Sequence, residues 1–392
     1  MKETLLSTLK LPNKDELIQQ LIHSGYAFAC WRKPNEVSQL IISLDEPTRL
    51  EHFLFASLEP GFLVNSFDDS HPTSPTYLKA DIVVKAEDLA IHPRVSDKEL
   101  DALRSALLDN NTQVSANASK AELGIDFDEN DFKQQVVKAV EEIKNDRFEK
   151  VVLSRCMVEE SATDFQFWSC FNQISEAYPN AFVSLIHLPG QGVWVGATPE
   201  LLLSQNQERF RTVALAGTKK LQPNQRLSEI AWTQKEIEEQ AFVSRYIINC
   251  FKKLRLREFH EQGPKTVKAG HLAHLKTSFE VKYDEVAFDD LAEQMLRLMH
   301  PTSAVCGMPI EEAKPWLADH EHYDRELYAG FLGPVNYENS TDLYVNLRCA
   351  KFEGSFVTYY AGAGITEDSN PDSEFEETEI KINVLRNIIN RI

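Results

Sequence analysis

Hydrophobic positions recur with helical spacing in several segments of the chain. Phe132, Val136, Val137, Val140 and Ile143 follow the 3.6-residue period of an amphipathic helix. The same kind of pattern predicts helices elsewhere along the sequence. These further helices cover Leu17–Ile22, Asp164–Ala177, Arg226–Leu256, Phe288–Met299 and Ser373–Ile389.

Short apolar or alternating segments predict strands, and most of them come in adjacent pairs. Phe182–His187 and Gly192–Val195 are separated by turn residues, as in a hairpin. Asp342–Phe352 and Ser355–Tyr360 meet at the turn Glu353-Gly354. Adjacent strand pairs with helices between them favour an antiparallel α+β fold over a doubly wound parallel sheet. Further strands are predicted at Gln39–Ser43, Asp81–Val84 and Lys150–Cys156.

One polar segment divides the chain. Residues 109–120 (DNNTQVSANASK) are small and polar, which makes them the best candidate for an internal boundary. The helix and strand patterns before this segment are weaker than those after it. We therefore treat 1–120 and 121–392 as the two parts of the chain.

Composition narrows the classes of function. The chain has 41 Lys and Arg against 60 Asp and Glu, a net charge of −19, which disfavours nucleic acid and anionic membranes as partners. Because 43% of residues are hydrophobic, disorder is a poor explanation. No run approaches the roughly 18 apolar residues of a transmembrane helix. The first residues also lack the pattern of a signal peptide, so we expect a cytoplasmic protein.

The six cysteines are scattered and form no CxxC or CxxxC pair. This spacing disfavours a zinc ribbon or a thioredoxin motif, and the count is too low for a disulfide scaffold. Buried free thiols are the better interpretation. His320 and His322 flank a glutamate and could ligate a metal, but a charged helix start explains them better.

Two acidic pairs have the spacing of one helix face. Glu374 and Glu377 are three residues apart, and Lys381 follows four residues later on the same face. Glu236 and Glu239 repeat this spacing among apolar neighbours. Acids near a helix start are often solvated and suit the helix dipole. If both pairs face inward, however, they need a cation, and oxygen ligands of this kind suit Mg²⁺.

Three single residues stand out. Lys150 opens an apolar strand, where a lysine is either an exposed strand-end charge or a buried group that could act as a base. Glu200 follows a strand and Gly-Ala-Thr-Pro and begins another apolar run. Arg348 alternates with Tyr344 and Asn346 on one predicted strand, and an inward arginine there suggests a bound carboxylate.

Nine short motifs follow one another along the chain. They are KVVLSR (150–155), GATPE (196–200), ALAGT (214–218), KEIEEQ (235–240), HLKT (274–277), HPTSAVCGMP (300–309), YDRELYAGFLGPV (323–335), LYVNLR (343–348) and YAGAGITEDSNPDSEFEET (360–378). Together these motifs resemble the chorismate-utilising enzymes, and within them the isochorismate synthases, whose order they keep over about residues 130–390. The N-terminal third resembles the variable region of that family only loosely.

The resemblance implies one large domain with a layered α/β/β/α core of antiparallel sheets. Residues 1–120 would be the variable part of this fold, and 121–392 the chorismate-binding region. It also implies Mg²⁺ on Glu239 and Glu377, with Glu236 and Glu374 holding metal-bound waters. Substrate contacts are implied for Leu215, Ala216, Gly217, Thr218, His274, Arg348, Tyr360, Gly362, Ala363, Gly364 and Lys381.

The implied reaction converts chorismate to isochorismate, with Lys150 as the base that activates water and Glu200 as the acid for the departing C4 hydroxyl. Relatives that use ammonia carry an uncharged residue at the Lys150 position, so no glutamine amidotransferase partner is expected. The product would feed menaquinone or siderophore synthesis, and the protein would be a monomer. A salicylate synthase, which goes on to eliminate pyruvate, is the nearest alternative.

Two further points bear on this interpretation. A catalytically silent relative that binds a metabolite is a second alternative, although every implied catalytic position is filled. Gln240 departs from the family pattern, because many relatives have histidine directly after the metal ligand Glu239. Such a change alters hydrogen bonding around the metal without removing a ligand.

Overall fold

The computed structural model describes residues 14–71, 74–85, 88–108, 128–162, 164–222, 225–269 and 272–392. The boundary predicted at residues 109–120 lies outside these ranges. The α-helices are α1 (Lys14–His23), α2 (Asp97–Leu108), α3 (Glu129–Lys144), α4 (Phe167–Ala177), α5 (Gln234–Lys253), α6 (Leu291–Met299), α7 (Ile310–His320) and α8 (Pro371–Ile389).

The strands of the described residues form two large sheets. They are β1 (Ala27–Arg32), β2 (Gln39–Ser43), β3 (Thr48–Arg49), β4 (Gly61–Asn65), β5 (Thr76–Lys79), β6 (Ile82–Lys85), β7 (Asp88–Ile91), β8 (Lys150–Glu160), β9 (Phe182–His187), β10 (Val193–Thr198), β11 (Leu201–Gln205), β12 (Arg209–Lys220), β13 (His260–Ala269), β14 (Leu272–Lys282), β15 (Gly307–Met308), β16 (Phe331–Val335), β17 (Thr341–Val345), β18 (Cys349–Glu353) and β19 (Phe356–Ile365).

The first sheet has the strand order β15-β8-β19-β18-β10-β9-β1-β2-β6-β7, and the second has β13-β14-β12-β11-β17-β16-β4-β5-β3. Each neighbouring pair is antiparallel, for example β8 with β19 and β12 with β14. The antiparallel α+β fold predicted from the sequence is confirmed. Strands from before residue 109 lie at one end of both sheets, so the N-terminal part completes the same architecture.

Aromatic side chains join the inner faces of the two sheets. Phe182 of the first sheet stacks on Tyr344 of the second with ring centroids 4.1 Å apart. Trp31 of the first sheet packs at a tilt against Phe62 and edge-on against Tyr337. Helices α1, α2, α4 and α8 cover the outer face of the first sheet, and α5 and α6 pack on the second. This is the layered α/β/β/α core that the family resemblance implies.

The predicted strand Asp342–Phe352 is wrong, because the chain changes sheets within it. β17 belongs to the second sheet and β18 to the first, and Asn346–Arg348 cross between them. Asn346 secures the crossing by donating its side-chain amide to the carbonyl oxygen of Leu327 at 2.9 Å. Arg348 has a φ of +49°, which alternation along one strand does not allow. Its orientation therefore does not follow from the positions of Tyr344 and Asn346.

Several helix predictions also need correction. The helix predicted from Arg226 begins only at Gln234, because Thr233 and Glu236 form a capping box there. His320 and Glu321 lie at the C-terminal end of α7, so the interpretation of a charged helix start is wrong. Of the predicted apolar stripe on α3, Val137 is exposed. All six cysteines are buried and free, as predicted, and no described helix is long and apolar enough to span a membrane.

A buried ion pair ties α7 to the first sheet. Arg325 donates through Nε and Nη2 to the two carboxylate oxygens of Glu321, both at 2.6 Å. The same guanidinium donates to the carbonyl oxygens of Val305 and Val152 at 2.8 and 2.7 Å. The backbone N–H and the hydroxyl of Ser154 donate to Glu321 at 2.6 and 2.8 Å. Both charges are therefore fully hydrogen-bonded, as burial requires.

Replacing Arg325 with methionine should lower the free energy of unfolding by about 3–5 kcal/mol, because the Glu321 carboxylate would stay buried without its partner. Chemical denaturation measures this change. Lys79→Met is the control, since Lys79 pairs with Asp45 at 3.0 Å on the surface and should contribute less than about 1 kcal/mol. Equal losses in the two variants would contradict the anchoring role of Arg325.

Candidate active site

A cavity of about 740 Å³, including its opening to solvent, lies between the two sheets beside α5 and α8. It brings together most of the site residues predicted from the sequence. The predicted residues that line it are Glu200, Leu215, Ala216, Gly217, Thr218, Glu239, His274, Arg348, Tyr360, Gly362, Gly364, Glu377 and Lys381.

Four predicted residues do not line the cavity. Lys150 lies directly behind the wall and reaches Glu239. Ala363 is fully buried and belongs to the hydrophobic core. Glu236 is bound to Thr233 at the start of α5 and to Lys219, and Glu374 is buried against Lys235.

Seven residues of the cavity lining are not among the site residues predicted from the sequence. All seven lie within or beside motifs that carry the family resemblance, so membership of those motifs was the available signal. They are Val152, Pro199, Ala304, Val305, Tyr328, Leu347 and Ala361.

Lys150 is buried beside the cavity rather than exposed at a strand end. It begins β8, and its Nζ lies 3.2 Å from Oε1 of Glu239, with only 4% of the side chain accessible to solvent. Gly364 of the neighbouring strand leaves the space for it, because a Cβ there would lie 2.8 Å from the Lys150 Cε. A glycine is therefore needed at position 364 for the lysine to reach the cavity wall.

Glu239 is an ionised carboxylate in a half-buried position. Burial alone would raise its pKa, but Lys150, Lys381 and the backbone N–H of Gly217 stabilise the charge, so the pKa lies below its usual value. The N–H of Gly217 donates to Oε2 at 3.2 Å. Gly217 has a φ of +64° at a bulge in β12, a conformation that favours glycine.

The pKa of Glu200 is shifted in the opposite direction to that of Glu239. Glu200 is 6% exposed, and burial raises the pKa of its carboxyl group to about 7, although Lys150, Arg348 and Lys381 act in the opposite direction. A carboxyl group of this kind is partly protonated near neutral pH. It can therefore donate a proton inside the cavity.

The third carboxylate of the cavity belongs to α8. Glu377 pairs with Lys381 one turn later on the helix, with 2.7 Å between Oε1 and Nζ. Lys381 also donates to the carbonyl oxygen of Gly362 at 2.7 Å. Arg155 of β8 holds the helix in place, because its guanidinium donates to Thr378 Oγ1 at 2.7 Å and pairs with Glu379.

His274 presents a neutral imidazole to the cavity. Burial and the nearby charge of Arg348 lower the pKa of this histidine to about 3. Nδ1 lies 3.1 Å from the carbonyl oxygen of Gly217, to which it donates, while the buried Nε2 has no partner. In this tautomer Nε2 is free to accept a hydrogen bond from a ligand.

Arg348 is the unpaired cation of the cavity. Its guanidinium has no hydrogen-bond partner within the described residues, although it lies in the wall. Burial lowers the pKa of this arginine, while the nearby Tyr328 and Glu377 act in the opposite direction. A guanidinium that lines a cavity without a hydrogen-bond partner can bind a ligand carboxylate through two hydrogen bonds.

Gln240 connects α5 to the bulged strand. Its Oε1 accepts from the N–H of Ala216 at 2.9 Å, and its Nε2 donates to Ala214 O and Thr277 Oγ1 at 3.2 and 2.9 Å. The carboxylate of the preceding residue, Glu239, accepts from the N–H of Gly217, the next residue but one after Leu215 on β12. The side chain of Gln240 thus fixes the helix position that carries Glu239.

Comparison with known proteins reveals relatives among the isochorismate synthases. The chain is 31% identical over 263 residues to isochorismate synthase EntC of Escherichia coli, which is 66% of each chain. It is 29% identical over 263 residues to isochorismate synthase MenF of Bacillus subtilis, 66% of this chain and 55% of that one. The alignments thus span a little under two thirds of the first relative's own length and just over half of the second's.

Solved structures share the fold at low sequence identity. The menaquinone-specific isochorismate synthase MenF of Escherichia coli superposes with a TM-score of 0.76 at 21% identity, over 94% of this chain and 90% of that chain. Anthranilate synthase component I of Streptococcus pneumoniae gives a TM-score of 0.66 at 17% identity, over 91% and 89% of the two chains. The family model described as chorismate binding enzyme matches residues 61–390, so this chain belongs to the chorismate-binding enzyme family.

Proposed function

We propose that this protein is an isochorismate synthase, which converts chorismate to isochorismate. The observation that carries the proposal is the pair formed by Lys150 and Glu200, a buried amine and a buried carboxyl group with a pKa of about 7, at one cavity. The relatives named isochorismate synthase support it. Residues 121–392 would bind chorismate, since all lining residues fall there, and 1–120 would be the variable part of the fold.

The proposed reaction exchanges one hydroxyl group for another. Water attacks C2 of chorismate and gives its proton to Lys150, which acts as the neutral amine and must therefore first release the proton that pairs it with Glu239. Glu200 donates a proton to the hydroxyl that leaves C4, and the ring double bonds shift between the two sites. One water enters and one leaves, so the conversion is an isomerisation. The free guanidinium of Arg348 would bind the enolpyruvyl carboxylate, and Lys381 would lie near the ring carboxylate.

The cavity also suits a magnesium ion. Glu239 and Glu377 both line it, and carboxylate oxygens are the donors that Mg²⁺ prefers. Within the described ranges no group of three His, Cys, Asp or Glu side chains forms a metal centre, so two carboxylates would bind the ion with water and substrate oxygens. Glu236 and Glu374 would hold water behind them. When bound, Mg²⁺ would stabilise negative charge that develops on the substrate.

The lysine also favours one member of the family over others. A lysine at position 150 can take the proton of an attacking water, so we propose no amidotransferase partner. We also propose a monomeric enzyme. The product would feed menaquinone or siderophore synthesis, since relatives of both kinds are similar to this chain, including a vibriobactin-specific isochorismate synthase of Vibrio cholerae. Nucleic acid and membrane play no part in the proposed activity.

Product analysis tests the proposal directly. Purified protein incubated with chorismate and Mg²⁺ should form isochorismate, identified by chromatography and mass spectrometry. Lys150→Ala should lower the rate by about 10²–10⁴-fold, because the base is lost. Formation of salicylate and pyruvate would contradict the proposal in favour of a salicylate synthase. Unchanged chorismate with a folded protein would indicate a catalytically silent relative.

Glu200→Gln should separate activity from stability. Because folding raises the pKa of Glu200 from 4.5 to about 7, the folded protein loses stability as pH rises through this window. The variant should therefore be more stable than the wild type above pH 7, by up to about 3 kcal/mol, with no gain below pH 4.5. Thermal denaturation at both pH values measures this.

The same substitution should lower kcat by about 10²–10⁴-fold, because an amide cannot donate the proton. In the wild type, kcat/KM should fall as pH rises above about 7 and Glu200 ionises. Glu376→Gln, an exposed carboxylate on α8, is the matched control and should change neither property. Near-normal turnover by Glu200→Gln would rule out the acid role.

Magnesium binding can be tested apart from turnover. Glu239→Gln and Glu377→Gln should each weaken Mg²⁺ binding in calorimetric titration by at least about 10-fold, since each removes a charged oxygen ligand. Glu376→Gln should bind as the wild type does. Removal of Mg²⁺ with a chelator should abolish turnover, and its return should restore it. Undiminished Mg²⁺ affinity in both variants would overturn the ligand assignment.

A further inference from the structure

The face of the second sheet that forms one cavity wall continues beyond the cavity as a row of cations. Leu215 of β12 lines the cavity, and Lys276 of β14 lies directly opposite it in the strand register. Lys265 of β13 lies opposite Lys276 in turn. Residues directly opposite each other in antiparallel strands share a face. The row therefore leads from the cavity wall to Lys276 and then to Lys265 at the sheet edge.

The same face carries two other relevant positions. His274, which lines the cavity, is two residues before Lys276 on β14 and shares its face. Arg211 is four residues before Leu215 on β12 and also shares it. The opposite face of β14 packs against α5, where Thr277 contacts Gln240. Three cations thus lie on the cavity side of the sheet, next to residues of the site.

These cations lack acidic partners. Among the described residues, no carboxylate forms an ion pair with Lys276, Lys265 or Arg211. Glu280, directly opposite Arg211, pairs instead with Arg209 at 3.3 Å. Lys276 is half-buried, and its pKa is lowered by burial and by the charge of Arg211. Like charges directly opposite each other in a sheet destabilise it, so folding alone does not explain the row.

Several other buried or half-buried lysines among the described residues are paired. Lys351 binds both Glu326 and Glu353 at 2.8 Å, Lys33 pairs with Asp342, and Lys150 pairs with Glu239. In a chain with 60 acidic residues and a net charge of −19, partners are abundant. The unpaired row beside the cavity is therefore a local excess of positive charge on an acidic protein.

We propose that Lys276, Lys265 and Arg211 form an approach surface that attracts the dicarboxylate substrate and guides it to the cavity. The inference rests on the proposed function, since chorismate carries two carboxylates. A local positive surface raises the concentration of an anion at the site and its rate of encounter. From Lys276 the substrate would pass the neutral His274 and reach the guanidinium of Arg348, which binds it.

The test compares Lys265→Gln/Lys276→Gln with the wild type at low and high ionic strength. At about 20 mM salt, kcat/KM for chorismate should fall by about 10-fold in the double variant. At about 0.5 M salt, where exposed charges are screened, the two proteins should be equal. Lys252→Gln/Lys253→Gln, at the exposed end of α5, removes the same charge elsewhere and should behave as the wild type does.

Folding and function are controlled separately. The double variant should melt at the same temperature as the wild type or higher, because it removes a repulsion. If the protein does not turn chorismate over, calorimetric binding of chorismate at the two ionic strengths replaces kcat/KM. Salt-sensitive affinity that the double variant loses would then support the approach surface while the proposed function fails. A wild type without salt dependence, or an equal loss in the control variant, would overturn the inference.

Discussion

Charge balance inside a partly buried cavity is the constraint on which this site depends. Three carboxylates and three cations line it or lie directly behind its wall, and isolated charges are costly in such a place. Four of these charges compensate each other in two ion pairs, Lys150 with Glu239 and Lys381 with Glu377. Glu200 avoids a buried negative charge when it retains its proton near neutral pH. Arg348 alone is left uncompensated, which leaves an anionic ligand to complete the balance.

The surrounding scaffold holds these groups at fixed separations. Arg325 and Glu321 join α7 to β8 behind the cavity wall, where Val152 and Val305 supply both carbonyl acceptors and lining residues. Arg155 fixes α8 to the same strand and thereby sets the position of Glu377. The charged groups of the site therefore come from separate elements, and polar contacts hold α7 and α8 on β8 and α5 on β12.

Local patterns in the sequence predict much of the fold, and the family resemblance implies most of the cavity residues, but neither reveals the connection between the sheets. The stripe of Phe132, Val136 and Ile143 predicted α3, because helical period is a local property. The crossing at Arg348 was missed, because alternation continues on both sides of a break that only the pairing of β17 and β18 reveals. Thr233-Gln-Lys-Glu236 matches the capping-box pattern, and the structure shows this contact, while a role of Glu236 beside a metal stays a prediction.

Gln240 has a consequence for how the site responds to acidity. Its amide joins α5 to the backbone of Ala214 and Ala216 without a titratable proton. A histidine at this position would change its hydrogen bonding as it gains or loses charge near neutral pH. With glutamine, the attachment of the Glu239 helix to the bulge is the same in acid and in base. The hydrogen-bonded anchor of the Glu239 helix is thus insensitive to pH, whereas the protonation of Glu200 changes near pH 7.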